Sequence, residues 1–128
     1  MRRSKLERIE KPWGHEILFA VTEKYLGKIL FIKKGHRLSL HYHKQKDETF
    51  YCLKGRARLI IGRARSIVKN HNITSIRHLA PDCSYHIEPM TIHRLEAIED
   101  TILAEVSTPD AEDLVRVEDD YGRATENQ

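Results

Sequence analysis

Gly35-His36-Arg37-Leu38-Ser39-Leu40-His41-Tyr42-His43-Lys44-Gln45-Lys46-Asp47-Glu48 decides how this chain is read. A β-strand sends alternate side chains to one face, so His41 and His43 point the same way. Glu48 opens a second apolar run, Glu48-Thr49-Phe50-Tyr51-Cys52-Leu53, which reads as the antiparallel neighbour. A hairpin between the two runs returns Glu48 to the histidines, and Gly55 closes the second strand. Two imidazoles and a carboxylate are thereby aimed at one point, as a metal ion requires. The same alternation puts Arg37 and Ser39 on the inner face and turns Leu38, Leu40 and Tyr42 outward. An apolar outer face of that kind needs a cover, either the N-terminal strands or a second subunit. A homodimer joined through this sheet is expected.

Outward from this stretch, the chain reads as short strands separated by turns. His15–Val21, Tyr25–Lys33, Arg37–His43, Glu48–Leu53, Arg56–Ile61, Ser75–Ala80, Tyr85–Ile87, Ile92–Ile98 and Thr101–Ser107 carry the strand composition. Gly35, Gly55, Gly62, Asn70 to Asn72 and Pro81-Asp82 separate them. Pro12-Trp13-Gly14 reads as a turn, and residues 1–11 as a loose or edge-pairing arm. Residues 110–128 form an acidic ending in which 110–117 could be a short helix or a last strand. Strands at this spacing, with no three-turn helix before residue 110, predict an all-β sandwich or barrel. Inner-face parity continues through Glu48, Phe50 and Cys52, and through His93, Leu95 and Ala97, with Arg94 and Glu96 outside.

The 128 residues are expected to form a single domain, 1–128. A net charge of +3 is too small to argue for nucleic acid. No apolar run reaches membrane-spanning length, and the N-terminus lacks the apolar core of a signal peptide. Cys52 and Cys83 give no disulfide framework, so a reduced, cytoplasmic protein is expected. Between Glu48 and Asp82 there is no acidic residue, whereas Lys54, Arg56, Arg58, Arg63, Arg65, Lys69 and Arg77 lie there. That run reads as a solvated basic face. His15, His36, His71, His78 and His86 have no partner at ligand spacing.

His-x-His alone is weak evidence, since a chain with 8 His in 128 residues is expected to hold about one by chance in every two such chains. The larger pattern is more specific. Gly35, His41, His43, Glu48 and Gly55 match every fixed position of the first signature of the cupin superfamily. The resemblance implies a single-domain double-stranded β-helix, or jelly-roll barrel. It also implies a second signature centred on His93, which would complete a metal site of His41, His43, Glu48 and His93. There the match is poorer: the family's glycines fall on Asp82 and Met90, its proline on Glu88 and its asparagine on Ala97. Pro89 is displaced by one position. Three nitrogens and one oxygen suit a divalent transition metal, Zn, Mn, Fe, Ni or Co, and leave coordination positions open.

A narrower resemblance spans nearly the whole chain. Lys11-Pro12-Trp13-Gly14, Gly35 to Leu40, Ile92-His93-Arg94-Leu95-Glu96 and Asp113 to Arg123 resemble mannose-6-phosphate isomerase-like cupins. The likeness is to the C-terminal domain of the bifunctional isomerase–guanylyltransferases, without a nucleotidyltransferase half, since no Gly-rich nucleotide loop precedes residue 11. The family usually carries Gln at His41, Arg at Lys46 and His-Trp at Thr49-Phe50. The resemblance implies an aldose–ketose isomerase acting on a sugar phosphate. Arg37, inward by parity, and Lys46, at the rim, are the expected grips for the substrate anion. A non-catalytic module binding a sugar or other small molecule, and an iron-dependent oxygenase, are the competing readings. Trp13 reads as a plug of the barrel end in preference to a sugar-stacking platform.

Overall fold

The computed structural model describes residues 1–62, 73–109 and 113–123. Among the described residues eleven strands run in order: β1 (Glu7–Lys11), β2 (Gly14–Val21), β3 (Leu26–Ile32), β4 (Leu40–His43), β5 (Glu48–Lys54), β6 (Ala57–Gly62), β7 (Ile73–Leu79), β8 (Ser84–Ile87), β9 (His93–Ala97), β10 (Thr101–Ser107) and β11 (Leu114–Glu118). They form a six-stranded sheet, β1-β2-β3-β10-β5-β8, facing a five-stranded one, β11-β4-β9-β6-β7. The pairings within both sheets are antiparallel. Among the described residues there is no helix, and so none long and apolar enough to cross a membrane. This is the expected all-β jelly roll. Arg63, Arg65, Lys69, His71 and the Asn70–Asn72 separator lie outside the described residues, as does 110–112.

Alternation builds the core. Phe50 and Cys52 on β5, Ala57 and Leu59 on β6, Leu95 and Ala97 on β9 and Leu103 on β10 meet between the sheets with Leu30, Ile32, Leu79 and Ile87. Trp13, placed by the tight turn between β1 and β2, is buried in the same cluster. Along β5 the inner face passes from polar to apolar: Glu48, then Phe50, then Cys52. One end of the barrel is therefore a sealed core, and the other carries chemistry.

Parity fails at Arg37 and Leu38, while Ser39 is buried on the inner side as expected. The regular strand starts at Leu40, and Arg37 makes only an isolated bridge to Glu96. Leu38, expected outside, packs against the core. Arg37, expected inside, pairs its guanidinium with Asp120 at 2.6 and 2.8 Å. Leu40 is also buried, within one chain, so the predicted bare apolar face at Leu38 and Leu40 does not exist. Arg94 was expected on the solvent side. It is only 4% exposed, because it donates to the Leu38 carbonyl and pairs with Glu118 and Asp120.

Four turn positions show how backbone and sequence agree or conflict. Gly35 and Gly55 both adopt positive φ, at 80° and 92°. A Cβ on Gly55 would lie 2.2 Å from the Asp100 carbonyl oxygen, whereas one on Gly35 meets nothing within 4 Å. Gly55→Ala should therefore cost about 2 kcal/mol or more, and Gly35→Ala about 1 kcal/mol, in urea unfolding. Asp82 and Met90 stand where the cupin pattern has glycine, and among the described residues they are the non-glycine positions with positive φ, 69° and 66°. The turns thus keep the glycine conformation with other residues in place. Asp82 accepts a hydrogen bond from the Tyr51 hydroxyl, and Met90 is held by its N–H to the His43 carbonyl. Met90→Gly should be neutral to about 1 kcal/mol stabilising in the same measurement, where glycine at an ordinary loop position would lose stability.

Candidate metal centre

His41 and His43 leave β4 on its inner face, Glu48 starts β5, and His93 starts β9 directly opposite His41. All four are buried. One ligand atom from each of His41, His43 and Glu48 lies within 4.8 Å of the other two. Glu48 Oε2 stands 3.3 Å from His43 Nε2 and 3.5 Å from His93 Nε2. The His41 and His93 rings are 4.5 Å apart between centroids.

The far side of each ring is committed. His41 Nδ1 lies 2.9 Å from the Ser39 carbonyl, and His93 Nδ1 lies 2.9 Å from the Thr91 carbonyl. His43 Nδ1 lies 2.8 Å from Asp113 Oδ1. These oxygens can only accept, so each Nδ1 carries the proton and each Nε2 presents a lone pair. Burial holds the His41 pKa well below the ordinary imidazole value, with His93 adding to the effect and Glu48 opposing it. Burial also lowers His43, against Glu48 and Asp113. Burial by itself would raise the Glu48 pKa, but His93 beside it and then His41 and His43 outweigh this and hold it below the ordinary carboxylate value.

A divalent cation fits this donor set. Glu48 Oε2 and His93 Nε2 are buried with no hydrogen-bond partner among the described residues. Buried polar atoms are normally satisfied, and two orphaned lone pairs facing each other ask for a shared cation.

Asp113 carries no signal in the sequence that would tie it to His43, 70 residues away. It accepts His43 Nδ1–H and the backbone N–H groups of Gln45 and Lys46, at 2.6 and 2.9 Å. It therefore fixes both the ring and the hairpin that delivers Glu48. Asp113→Asn should weaken metal affinity about 10- to 100-fold while the fold persists, as titration with a chromophoric chelator would show.

His41, His43 and Glu48 open onto a cavity of about 480 Å³, within the range of small-molecule sites, while His93 lies behind them and does not line it. Trp13, Leu38 and Phe50 form its apolar wall. Lys46 lines it but is no loose rim residue. It is buried, with Nζ 3.1 Å from Glu105 Oε2. Arg37 is not among the lining residues; its place is the surface pairing with Asp120. Glu105 could have been found from sequence, as a charged residue on the inner parity of Thr101–Ser107. Glu16 and Lys28 could have been found likewise, on the inner faces of β2 and β3.

Residues 2–119 match the family described as mannose-6-phosphate isomerase C-terminal. The chain belongs to that family. It is 28% identical over 116 residues to mannose-1-phosphate guanylyltransferase ManC of Salmonella typhimurium strain LT2, covering 90% of this chain and 23% of that protein. The chain thus spans about a quarter of the length of the curated relative it matches. An RmlC-like cupin from Shewanella frigidimarina superposes with a TM-score of 0.66 at 16% identity, covering 87% of this chain and 88% of that one. The capsular polysaccharide assembling protein CapF of Staphylococcus aureus gives 0.71 at 17% identity, covering 89% and 33%. At these identities the structures show the fold alone, the cupin jelly roll.

Proposed function

We propose that this cupin is a metal-dependent aldose–ketose isomerase of the mannose-6-phosphate isomerase type, acting on a sugar phosphate. The observation that supports it most is the gathering of His41, His43 and Glu48 at a cavity lined by cationic side chains, with His93 Nε2 behind them at 3.5 Å from Glu48. His41, His43, Glu48 and His93 would hold the metal. A bound divalent ion would supply Lewis acidity toward the substrate's carbonyl and neighbouring hydroxyl oxygens. Isomerisation also needs a group to move the C2 proton. Glu16 and Glu105 face the cavity. Glu105 is the better matched: burial raises its pKa, Glu48 adds to this, and Lys28 and Lys46 oppose it. Trp13, Leu38 and Phe50 would keep water from the reacting carbons. Lys46 would act by holding Glu105 in place.

In this reading the protein works in the cytoplasm as a homodimer, for which the exposed Phe19, Tyr51, Leu53 and Val106 offer apolar surface. Light scattering on the eluting protein tests the dimer. Conversion of mannose 6-phosphate to fructose 6-phosphate is the deciding assay, run with Zn, Mn, Fe, Ni and Co in turn. Turnover with one of them is expected. No turnover with any, together with thermal stabilisation by the sugar phosphate, would leave a binding module in its place.

A further inference from the structure

The cavity has an uneven charge. Lys11, Lys28, Lys46, Arg116 and Arg123 line it against Glu16, Glu48 and Glu105. Two of the cations are already engaged with two of the carboxylates: Lys28 lies 3.5 Å from Glu16, and Lys46 lies 3.1 Å from Glu105. The other three come from the ends of the chain. Lys11 closes the edge strand β1, Arg116 sits in β11, and Arg123 ends the turn after it.

Their placement is specific. Arg116 pairs with His41 across the β11–β4 ladder. Side chains at paired positions share a face, so Arg116 emerges beside a metal ligand. Arg123 is fixed by Asp119, which accepts from its backbone N–H, Nε and Nη2 at 2.7 to 3.0 Å. Lys11 is half-buried and makes no ion pair with a carboxylate among the described residues. Lys28, Arg116 and Arg123 line the same cavity, and burial lowers the Lys11 pKa, with Glu16 opposing this and the three cations lowering it further. Like charges gathered in a partly buried site are costly unless an anion joins them. Asp119 offsets one positive charge, and a divalent ion on the ligand cluster would add two.

We propose that Lys11, Arg116 and Arg123 form an oxyanion-binding subsite, which takes the anionic end of a small ligand whose other end reaches the metal cluster. The inference rests on the isomerase reading only for the ligand's sugar portion. The charged end is a phosphate monoester or a carboxylate, and guanidinium groups suit either.

Calorimetric titration of the metal-loaded full chain tests it, with mannose 6-phosphate, mannose and glucuronate as probes. At least one charged sugar should bind tenfold or more tightly than mannose, and the order of the two identifies the anion. Arg116→Gln and Lys11→Gln should each lower that affinity about tenfold and leave metal content unchanged. Equal affinity for neutral and charged sugars would overturn the subsite. So would unchanged affinity in a folded Lys11→Gln protein, which keeps the test open should Arg116→Gln fail to fold. Lost affinity in the variants, with no turnover in the wild type, would remove the isomerase and keep the subsite. Turnover with unaffected affinity would do the reverse.

Discussion

Glu48→Gln should abolish metal retention and leave the metal-free protein at least as stable as the wild type. The two effects have opposite signs for one reason. In the wild type, Glu48 Oε2 faces His43 Nε2 and His93 Nε2 at 3.3 and 3.5 Å, and Glu48 Oε2 and His93 Nε2 lack a hydrogen-bond partner. Lone pairs crowded in this way are poor for folding and good for a cation. An amide of the same shape can turn its NH₂ toward an imidazole nitrogen and satisfy it, for a gain of about 1 kcal/mol in the metal-free state. The same change removes the one anionic ligand. Loss of a partner behind a ligand costs 10- to 100-fold in affinity, so loss of the ligand itself should exceed about 100-fold. Two measurements check this: bound metal per chain by mass spectrometry, and urea unfolding with and without Zn(II). At free metal 100 times the wild-type Kd the wild type should gain about 2.7 kcal/mol, and the variant no more than about 0.4 kcal/mol at that concentration. A variant that keeps its metal, or that unfolds like an ordinary core lesion without it, would remove the metal centre.

Much of this site was legible because a strand's two-residue period transmits burial directly. Once Glu48–Leu53, Ile92–Ile98 and Thr101–Ser107 are read as strands, Glu48, His93 and Glu105 must share the inner face with Phe50, Leu95 and Leu103, and they do. The same rule misassigned Arg37 and Leu38 because residues 37–39 are not regular strand. Leu38 is tied by its N–H to Leu95 and by its carbonyl to Arg94, and the alternation restarts only at Leu40. Met90 and Asp82 show another limit. A backbone held by long-range hydrogen bonds can keep a left-handed turn without the glycine that would announce it. Asp113, Arg116 and Arg123 were hidden for a third reason. The pairing of β11 with β4, some 70 residues away, brings Asp113 to His43 and Arg116 and Arg123 to the cavity, and no local pattern encodes those contacts.

The buried pair of Lys46 and Glu105 should behave asymmetrically when it is broken. Glu105 Oε2 is 3.1 Å from Lys46 Nζ and 4.0 Å from Lys28 Nζ, so one carboxylate serves two cations. Removing one member of a buried pair leaves an uncompensated charge and costs about 3 to 5 kcal/mol. Lys46→Met leaves Glu105 with Lys28 still in reach, and should fall at the lower end. Glu105→Leu leaves Lys46 without its carboxylate and Lys28 with only Glu16, at 3.5 Å, and should fall at the upper end. The double variant restores charge balance with apolar groups of similar size, so its loss should be smaller than that of Glu105→Leu alone. Urea unfolding of the four proteins closes the cycle, and the coupling between the two sites should exceed about 1 kcal/mol. Additive losses would mean that the two side chains act independently. In that case Lys46 would be available to a ligand after all, and the oxyanion subsite would extend deeper into the cavity than Lys11, Arg116 and Arg123.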